Sequence, residues 1–470
     1  MKMSKVALLA KNALLIAISR ISTQLVVFLM LPLYTSILSP KEYGAVDLII
    51  TYGSLFAPLI MLNVQQSVFR YLIDARSDSK SQHKIITNSL EIALITSSLA
   101  AAVYFIASMF VSIPFASIMS FYFASFIIAD LVLQIARGLG HTKAFAFAGI
   151  AQGILTIVLN LIFMIPLRMG AEGMLLGMTF GTLIPAIFLA VVIGIHRSIR
   201  VSARDLSTKK KLLAFSLPLI PNSISWWVFS ASDRTIISIV MGIAANGIYA
   251  VTNKFSNIAN SFSAIFYASW SESAALAINE PDRDEFFSSV ANMTLRSFTT
   301  LGVLIMCTTP LVFPILVGER FREALLYLPI LILGTIFNTI VSFYSAIYIA
   351  KKLTRQVTNT SIIAAVINLI VNISLIWSIG IWAAAISTAT AYGIMAIYRH
   401  YDMMRYVKIT YERGIFIKLG ALFFTITGLY YVSTIWASLL SIIISVIAAY
   451  LLNRNEIKQI KNMLLRGKQL

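Results

Sequence analysis

AFSLPLIPNSISWWVFSASDRTIISIVM, residues 214–241, is long enough to cross a bilayer as a helix, yet it is too polar for an ordinary span. It carries two prolines (Pro218, Pro221), paired tryptophans (Trp226, Trp227) and an acid beside a base (Asp233, Arg234) deep in an apolar run. Charged groups at hydrocarbon depth are costly and mark function by default. The chain before this stretch reads as one bundle of six helices, and much of the chain after it reads as a second.

Composition fixes the class. A chain of 470 residues that is 59% hydrophobic and 12% charged has no surface suited to water. Its apolar runs are about 20–25 residues long, the length an α-helix needs to cross roughly 30 Å of hydrocarbon, and they lack the alternation of a membrane β-barrel. The fold expected is an all-α polytopic membrane protein of about fourteen spans. They lie near 12–38, 44–69, 86–112, 115–136, 145–167, 172–195, 214–241, 247–275, 288–315, 324–350, 357–378, 382–398, 415–433 and 436–453. The first is read as a retained span, because no small-residue cleavage site follows it. The single cysteine, Cys307, forms no intrachain disulfide, and the four histidines have no ligand spacing, so neither a metal nor a cofactor is expected.

Lys and Arg alternate between connectors as the positive-inside rule requires. With the N-terminus cytoplasmic, about 29 of the 37 fall in cytoplasmic segments, and both termini lie inside. The net charge of +18 is accounted for by topology and anionic headgroups, without a nucleic-acid partner. Asn160 before Gly170 pairs with Asn368 and Asn372 before Gly380, and Ser36–Gly44 pairs with Ser238–Gly247. These matches divide the chain into two pseudo-symmetric six-helix lobes, 1–197 and 213–400. A basic connector, 198–212, joins them, and two further helices with a basic tail occupy 401–470. Transporters built from repeats bind substrate near the bilayer midplane.

Helical spacing sorts the polar residues into faces. Arg20 and Gln24 share a sector of the first span, and Asp47, Thr51, Ser54, Pro58 and Gln65 form one stripe on the second. In the seventh, Ser223, Trp227, Ser230 and Arg234 share a face beside Asn222, Trp226 and Asp233. In the eighth, Tyr249, Asn253, Ser256 and Asn260 line a face next to Lys254, Asn257 and Ser261. Such faces must meet one another or water, although interhelical hydrogen bonding alone explains isolated Ser and Asn residues. The cations are harder to explain that way. Each costs about 2.5–3.5 kcal/mol at mid-span, and neighbours such as Asp233 and Arg234 do not face each other on one helix. Snorkelling to an interface would relieve any of them, Arg296 most easily, but four cations against few acids at mid-depth, Arg20, Arg234, Lys254 and Arg296, point to an anionic passenger. Asp47, Asp130 and Asp233 are candidate counter-charges or ion-coupling sites. Gln24, Asn222, Trp226, Trp227, Asn253, Asn257 and Asn260 are candidate glycan contacts, whereas Trp270 reads as an interfacial belt residue.

Several stretches carry a family resemblance: Lys11-Asn12 through Pro32-Leu33-Tyr34-Thr35, Leu38-Ser39-Pro40-Lys41-Glu42-Tyr43-Gly44, Ser216-Leu217-Pro218-Leu219-Ile220-Pro221, Ser232-Asp233-Arg234, Gly318-Glu319-Arg320-Phe321 and Leu328-Pro329-Ile330-Leu331. Together they resemble the Wzx-type polysaccharide (O-antigen) flippases, in the polysaccharide transporter branch of the multidrug/oligosaccharidyl-lipid/polysaccharide exporter superfamily. The resemblance implies two six-helix lobes around a central cavity and a location in the bacterial inner membrane. It further implies alternating access that carries an undecaprenyl-pyrophosphate-linked glycan to the outer leaflet, with a polysaccharide polymerase and chain-length regulator as partners. The role it gives Arg20, Arg234 and Lys254 is holding the pyrophosphate; the second span departs from the pattern by carrying Asp47 and few cations.

Three other classes fit part of this pattern. A multidrug antiporter shares the fold, but a cavity for cations favours carboxylates over Arg and Lys. A peptidoglycan-precursor flippase uses the same physics on a different glycan. A membrane glycan polymerase or ligase needs a large outer loop with catalytic residues, and the outer connectors hold little beyond Glu42, Glu172, Glu319 and Glu323. With outer connectors this short an enzyme is not expected, and no GxxxxGK[ST] phosphate loop occurs, so neither is direct ATP hydrolysis.

Overall fold

A computed structural model describes residues 28–110, 116–454 and 456, excluding the side chains at 105, 107, 108, 116, 201, 222 and 225–230. Regular structure among them is entirely helical, with seventeen α-helices. They are α1 (Leu31–Ile37), α2 (Pro40–Ile60), α3 (Val64–Asp74), α4 (Ser79–Ser108), α5 (Ala116–Gly138), α6 (Thr142–Met164), α7 (Gly170–Val192), α8 (Ile195–Ser198), α9 (Leu206–Ser216), α10 (Ile220–Val240), α11 (Ile243–Ala277), α12 (Arg283–Leu316), α13 (Ala324–Ala350), α14 (Thr354–Ile379), α15 (Trp382–Met403), α16 (Ile415–Val432) and α17 (Ile435–Leu452). Ten are long and apolar enough to cross a membrane. The chain is a multi-pass membrane protein. α10, α11 and α15 reach 21, 35 and 22 residues while carrying Asp233 and Arg234, Lys254, and Arg399 respectively.

The described residues fall into two compact units that divide between Ala231 and Ser232, inside α10. The boundary lies beyond the basic connector because α9 and the first part of α10 pack on the first unit. Leu212 joins the core of Val64, Val68, Leu72, Ile86 and Ile135, and Asn63 Nδ2 donates to Ser223 Oγ at 3.2 Å.

Local chemistry explains where helices start and break. Ser39 and Glu42 form a reciprocal capping box, with Pro40 in the first turn of α2, so the Ser-Pro-Lys-Glu run is a helix start. The single span expected over 44–69 is instead two helices. Pro58 has no N–H to continue the ladder, and Leu62 and Asn63 take left-handed conformations (φ 53° and 55°) that close α2 and open α3. The continuous stripe from Asp47 to Gln65 is thereby cut, and Gln65 sits buried on α3.

Each unit contains a close helix pair built on small residues. Gly173, Gly177 and Gly181 line α7, and a Cβ on Gly177 would lie 2.1 Å from Asn160 Oδ1. In the second unit Ala383, Ser387 and Ala391 occupy α15 at the same distances after a positive-φ glycine (Gly170 in one, Gly380 in the other). Asn368 Nδ2 there donates to Ser387 Oγ at 3.3 Å. Small-xxx-small spacing brings backbones close, and a buried asparagine ties them.

Trp270 is a core residue and not part of an interfacial belt. It is 3% exposed, stacks on Phe343 at 5.0 Å and donates its indole N–H to the Phe343 carbonyl at 3.0 Å. That hydrogen bond is what allows a Trp to be buried at little cost.

Candidate functional site

Asp233 is 5% exposed, and three helices supply donors to it. Asn372 Nδ2 on α14 reaches Oδ1 at 2.7 Å, while Thr388 Oγ1 on α15 and Tyr249 OH on α11 reach Oδ2 at 2.8 and 3.1 Å. Next to it, Ser232 Oγ donates to Asn368 Oδ1 at 3.3 Å, and Asn368 returns a bond to Thr388 Oγ1 at 3.2 Å. Asparagines legible in the sequence only as repeat markers thus surround the acid. Among the described residues, the side chains that donate to it are neutral. Charge-assisted bonds of this kind are among the stronger ones a protein makes.

Arg234 and Lys254 are half-buried on α10 and α11. As neighbours in sequence, Asp233 and Arg234 lie on adjoining faces of α10. Along α11, Asn253 folds back to the Tyr249 carbonyl at 2.9 Å, and Asn260 Nδ2 donates to Asn257 Oδ1 at 3.2 Å. Asn338 on α13, which sequence reasoning missed, donates to Asn260 Oδ1 at 3.4 Å. The ladder is therefore partly a helix joint.

Arg296 has a different setting from the one expected. Its guanidinium pairs with Glu412 at 2.6 Å and also with Glu456, tying α12 to the segments that flank α16 and α17. Two carboxylates offset its charge, which suits a joint better than an anion ligand. Asp47 is buried on α2. Asp130 on α5 accepts from Gln134 at 3.3 Å, and Gln134 accepts from Arg137 at 3.0 Å. Arg137 in turn lies over the Phe69 and Phe145 rings, at 4.5 and 5.4 Å. Asp130 therefore has a counter-charge two steps away on its own helix. Asp47 and Asp130 belong to the first unit and Asp233 to the second. Among the described residues no three His, Cys, Asp or Glu side chains meet as metal ligands. Arg20 and Gln24 lie outside the described residues, as do the side chains of Asn222, Trp226 and Trp227.

Sequence reasoning also missed Arg399, which sits at the end of α15 and is 1% exposed. It donates to the Val341 and Val357 carbonyls at 3.0 and 3.2 Å and to the hydroxyls of Ser345, Thr360 and Ser361, fastening α13, α14 and α15. Its acceptors lie 38–58 residues away along the chain and give no local signal.

A family profile described as "Polysaccharide biosynthesis protein" matches residues 9–270. No curated protein matches the chain in sequence. Among solved structures it is similar to one described as lipid II flippase MurJ in an inward closed conformation, with 15% identity, 96% of this chain and 99% of that one covered, and a TM-score of 0.71. It is also similar to an inward-facing multidrug resistance MATE family transporter of the MOP superfamily, at 16% identity, 83% and 98% coverage and a TM-score of 0.69. A third is a MOP superfamily transporter from Pyrococcus furiosus, at 15% identity, 84% and 94% coverage and a TM-score of 0.57. At these identities the likeness establishes a common fold.

Proposed function

The chain belongs to the polysaccharide biosynthesis protein family, and on that footing we propose that it is a flippase. Its cargo is an undecaprenyl-pyrophosphate-linked oligosaccharide, an O-antigen or similar repeat unit, carried from the cytoplasmic to the outer leaflet of a bacterial inner membrane by alternating access. Both termini are cytoplasmic in this reading, as the Lys and Arg distribution requires. A polysaccharide polymerase and chain-length regulator act downstream.

The observation that carries the reading is Arg234. It is a half-buried cation in mid-helix, and a second, Lys254, is half-buried on the next helix. An anionic diphosphate offsets the cost of holding such a cation at depth, about 2.5–3.5 kcal/mol. Lys254 acts with it, and Asn253, Asn257 and Asn260 offer amides to sugar hydroxyls. Arg20 remains a proposed ligand from the first span; Arg296 we assign to holding the C-terminal helices. Asp233 is the coupling group. A proton or small cation arriving there weakens the carboxylate's hold on its three donors, so its occupancy is linked to how α11, α14 and α15 sit on α10.

Deleting the gene in its host and examining lipid-linked intermediates tests this reading. It predicts accumulation of single unpolymerised repeat units on undecaprenyl pyrophosphate. Accumulation of peptidoglycan precursor would favour the other flippase class, and unchanged lipid-linked pools with raised drug sensitivity would favour the antiporter.

A further inference from the structure

The connector that leaves α7 is held in place backbone first. Thr87 Oγ1 on α4 accepts the Arg200 N–H at 3.1 Å and donates to the Ser198 carbonyl at 3.2 Å. One residue on, Asn88 Oδ1 accepts the Asp205 N–H at 3.0 Å and Asn88 Nδ2 donates to the Ala203 carbonyl at 2.9 Å. Both residues are buried, Asn88 completely. Each side chain engages the carbonyl of one residue and the N–H of the residue two further on, as a neighbouring β-strand does. The second unit uses a related device on its own connector, complete at Asn292. Ser288 Oγ accepts the Thr410 N–H at 2.9 Å, with its own proton on the Asp284 carbonyl at 2.6 Å and the Lys408 carbonyl 3.5 Å away. Asn292 accepts the Glu412 N–H at 2.9 Å and donates to the Thr410 carbonyl at 3.0 Å.

In the first unit this pinning turns the connector's side chains outward. Glu91 takes Lys209 at 2.8 Å and Arg204 at 3.5 Å, and Asp205 lies 3.9 Å from Lys84. Arg197, Arg200 and Lys210 are exposed, and among the described residues none of them has a carboxylate within 4 Å. Two apolar side chains stand out among these cations, Ile199 at 51% and Leu206 at 67% exposure. The connector follows the candidate span Gly170–Val192 and lies on the opening turns of the candidate span that begins at Ser79, where hydrocarbon gives way to headgroups.

We propose that the strip Arg197–Lys210 is a binding surface for anionic phospholipid headgroups, with Ile199 and Leu206 seated at the acyl boundary and the Thr87–Asn88 clamp fixing its register. Cations near an anionic surface, flanked by apolar side chains, recognise this chemistry, and each contributes about a fivefold preference. The surface is separate from the residues assigned to the glycan carrier and does not depend on that reading.

The test uses the purified full chain in bilayers of phosphatidylcholine with and without phosphatidylglycerol, reading the lipids retained on the protein by native mass spectrometry. Wild type should retain phosphatidylglycerol preferentially. The triple variant R197Q/R200Q/K210Q should lose that preference at least tenfold while keeping its phosphatidylcholine, because the clamp bonds only backbone atoms of the connector. N88A should weaken the preference while all the cations remain. If N88A does not fold, the triple variant together with L206S decides. Undiminished phosphatidylglycerol retention in the triple variant overturns the proposal, as does competition by inorganic pyrophosphate equal to that by the lipid, which would mark the strip as a site for soluble polyanions.

Discussion

Replacing Asp233 separates its structural work from its proposed transport role. In D233A, Tyr249, Asn372 and Thr388 all lose their acceptor in a dry interior. Bonds to a charged group contribute about 1.5–3 kcal/mol each and are not additive, so a loss of about 3–5 kcal/mol is expected. D233N should behave differently. Its single carboxamide oxygen can take the place of Oδ2, keeping Tyr249 and Thr388, while its NH2 faces Asn372. Asn372 Oδ1 is buried without a hydrogen-bond partner, so turning that amide over presents an acceptor to the new NH2 without losing an existing bond. All three contacts survive in neutral form at a cost of about 1–2 kcal/mol. The assay is thermal unfolding in detergent, followed by size-exclusion fluorescence, beside a transport measurement on the same variants. D233N should stay folded and fail to transport, and D233A should be depleted before assay. The reasoning is refuted if D233A is as stable as wild type, or if D233N is as damaged as D233A.

R296Q should release the segments flanking α16 and α17 and cost about 3 kcal/mol, since it leaves Glu412 and Glu456 without their cation; limited proteolysis of the C-terminal helices reads this, and affinity for the lipid-linked glycan should not change. G177A should destabilise the α6–α7 pair by about 1–3 kcal/mol, because the new methyl meets Asn160 Oδ1; yield of monodisperse protein reports it, and an unaffected yield would contradict the packing described. Asp205 caps α9, and the Thr208 hydroxyl, with Ser207, holds its carboxyl down to about 2. A folded value below the unfolded one gives a contribution that is complete above about 3.9 and is lost as pH falls through about 2. A fluorophore on K210C should therefore keep its anisotropy from neutral pH down to about 4 and lose it only below that.

That the chain is a series of membrane-length helices was legible because hydrocarbon thickness leaves a direct imprint on apolar run length, whereas the count of fourteen was not reproduced: ten helices among the described residues are long and apolar enough to span. The break between α2 and α3 was not legible, because a left-handed Leu62–Asn63 pair carries no glycine to announce it. Depth in an apolar run identified Asp233 correctly as unusual, but its partners on three other helices are 16, 139 and 155 residues away. The same distance problem affected Arg296: its carboxylates lie 116 and 160 residues further on, so the sequence shows a cation in a span and the structure shows an ion-pair joint. Arg399 was passed over altogether. It falls one residue past the expected span 382–398 and drew no reading, whereas tertiary packing buries it fully.

The central claim is that the half-buried cations of the second unit hold a diphosphate, and direct binding of undecaprenyl pyrophosphate to the purified chain tests it. The double variant R234Q/K254Q should remain folded and bind at least tenfold more weakly than wild type, since a charged hydrogen bond contributes about 1.5–3 kcal/mol. Binding equal to wild type in a folded double variant would contradict the account.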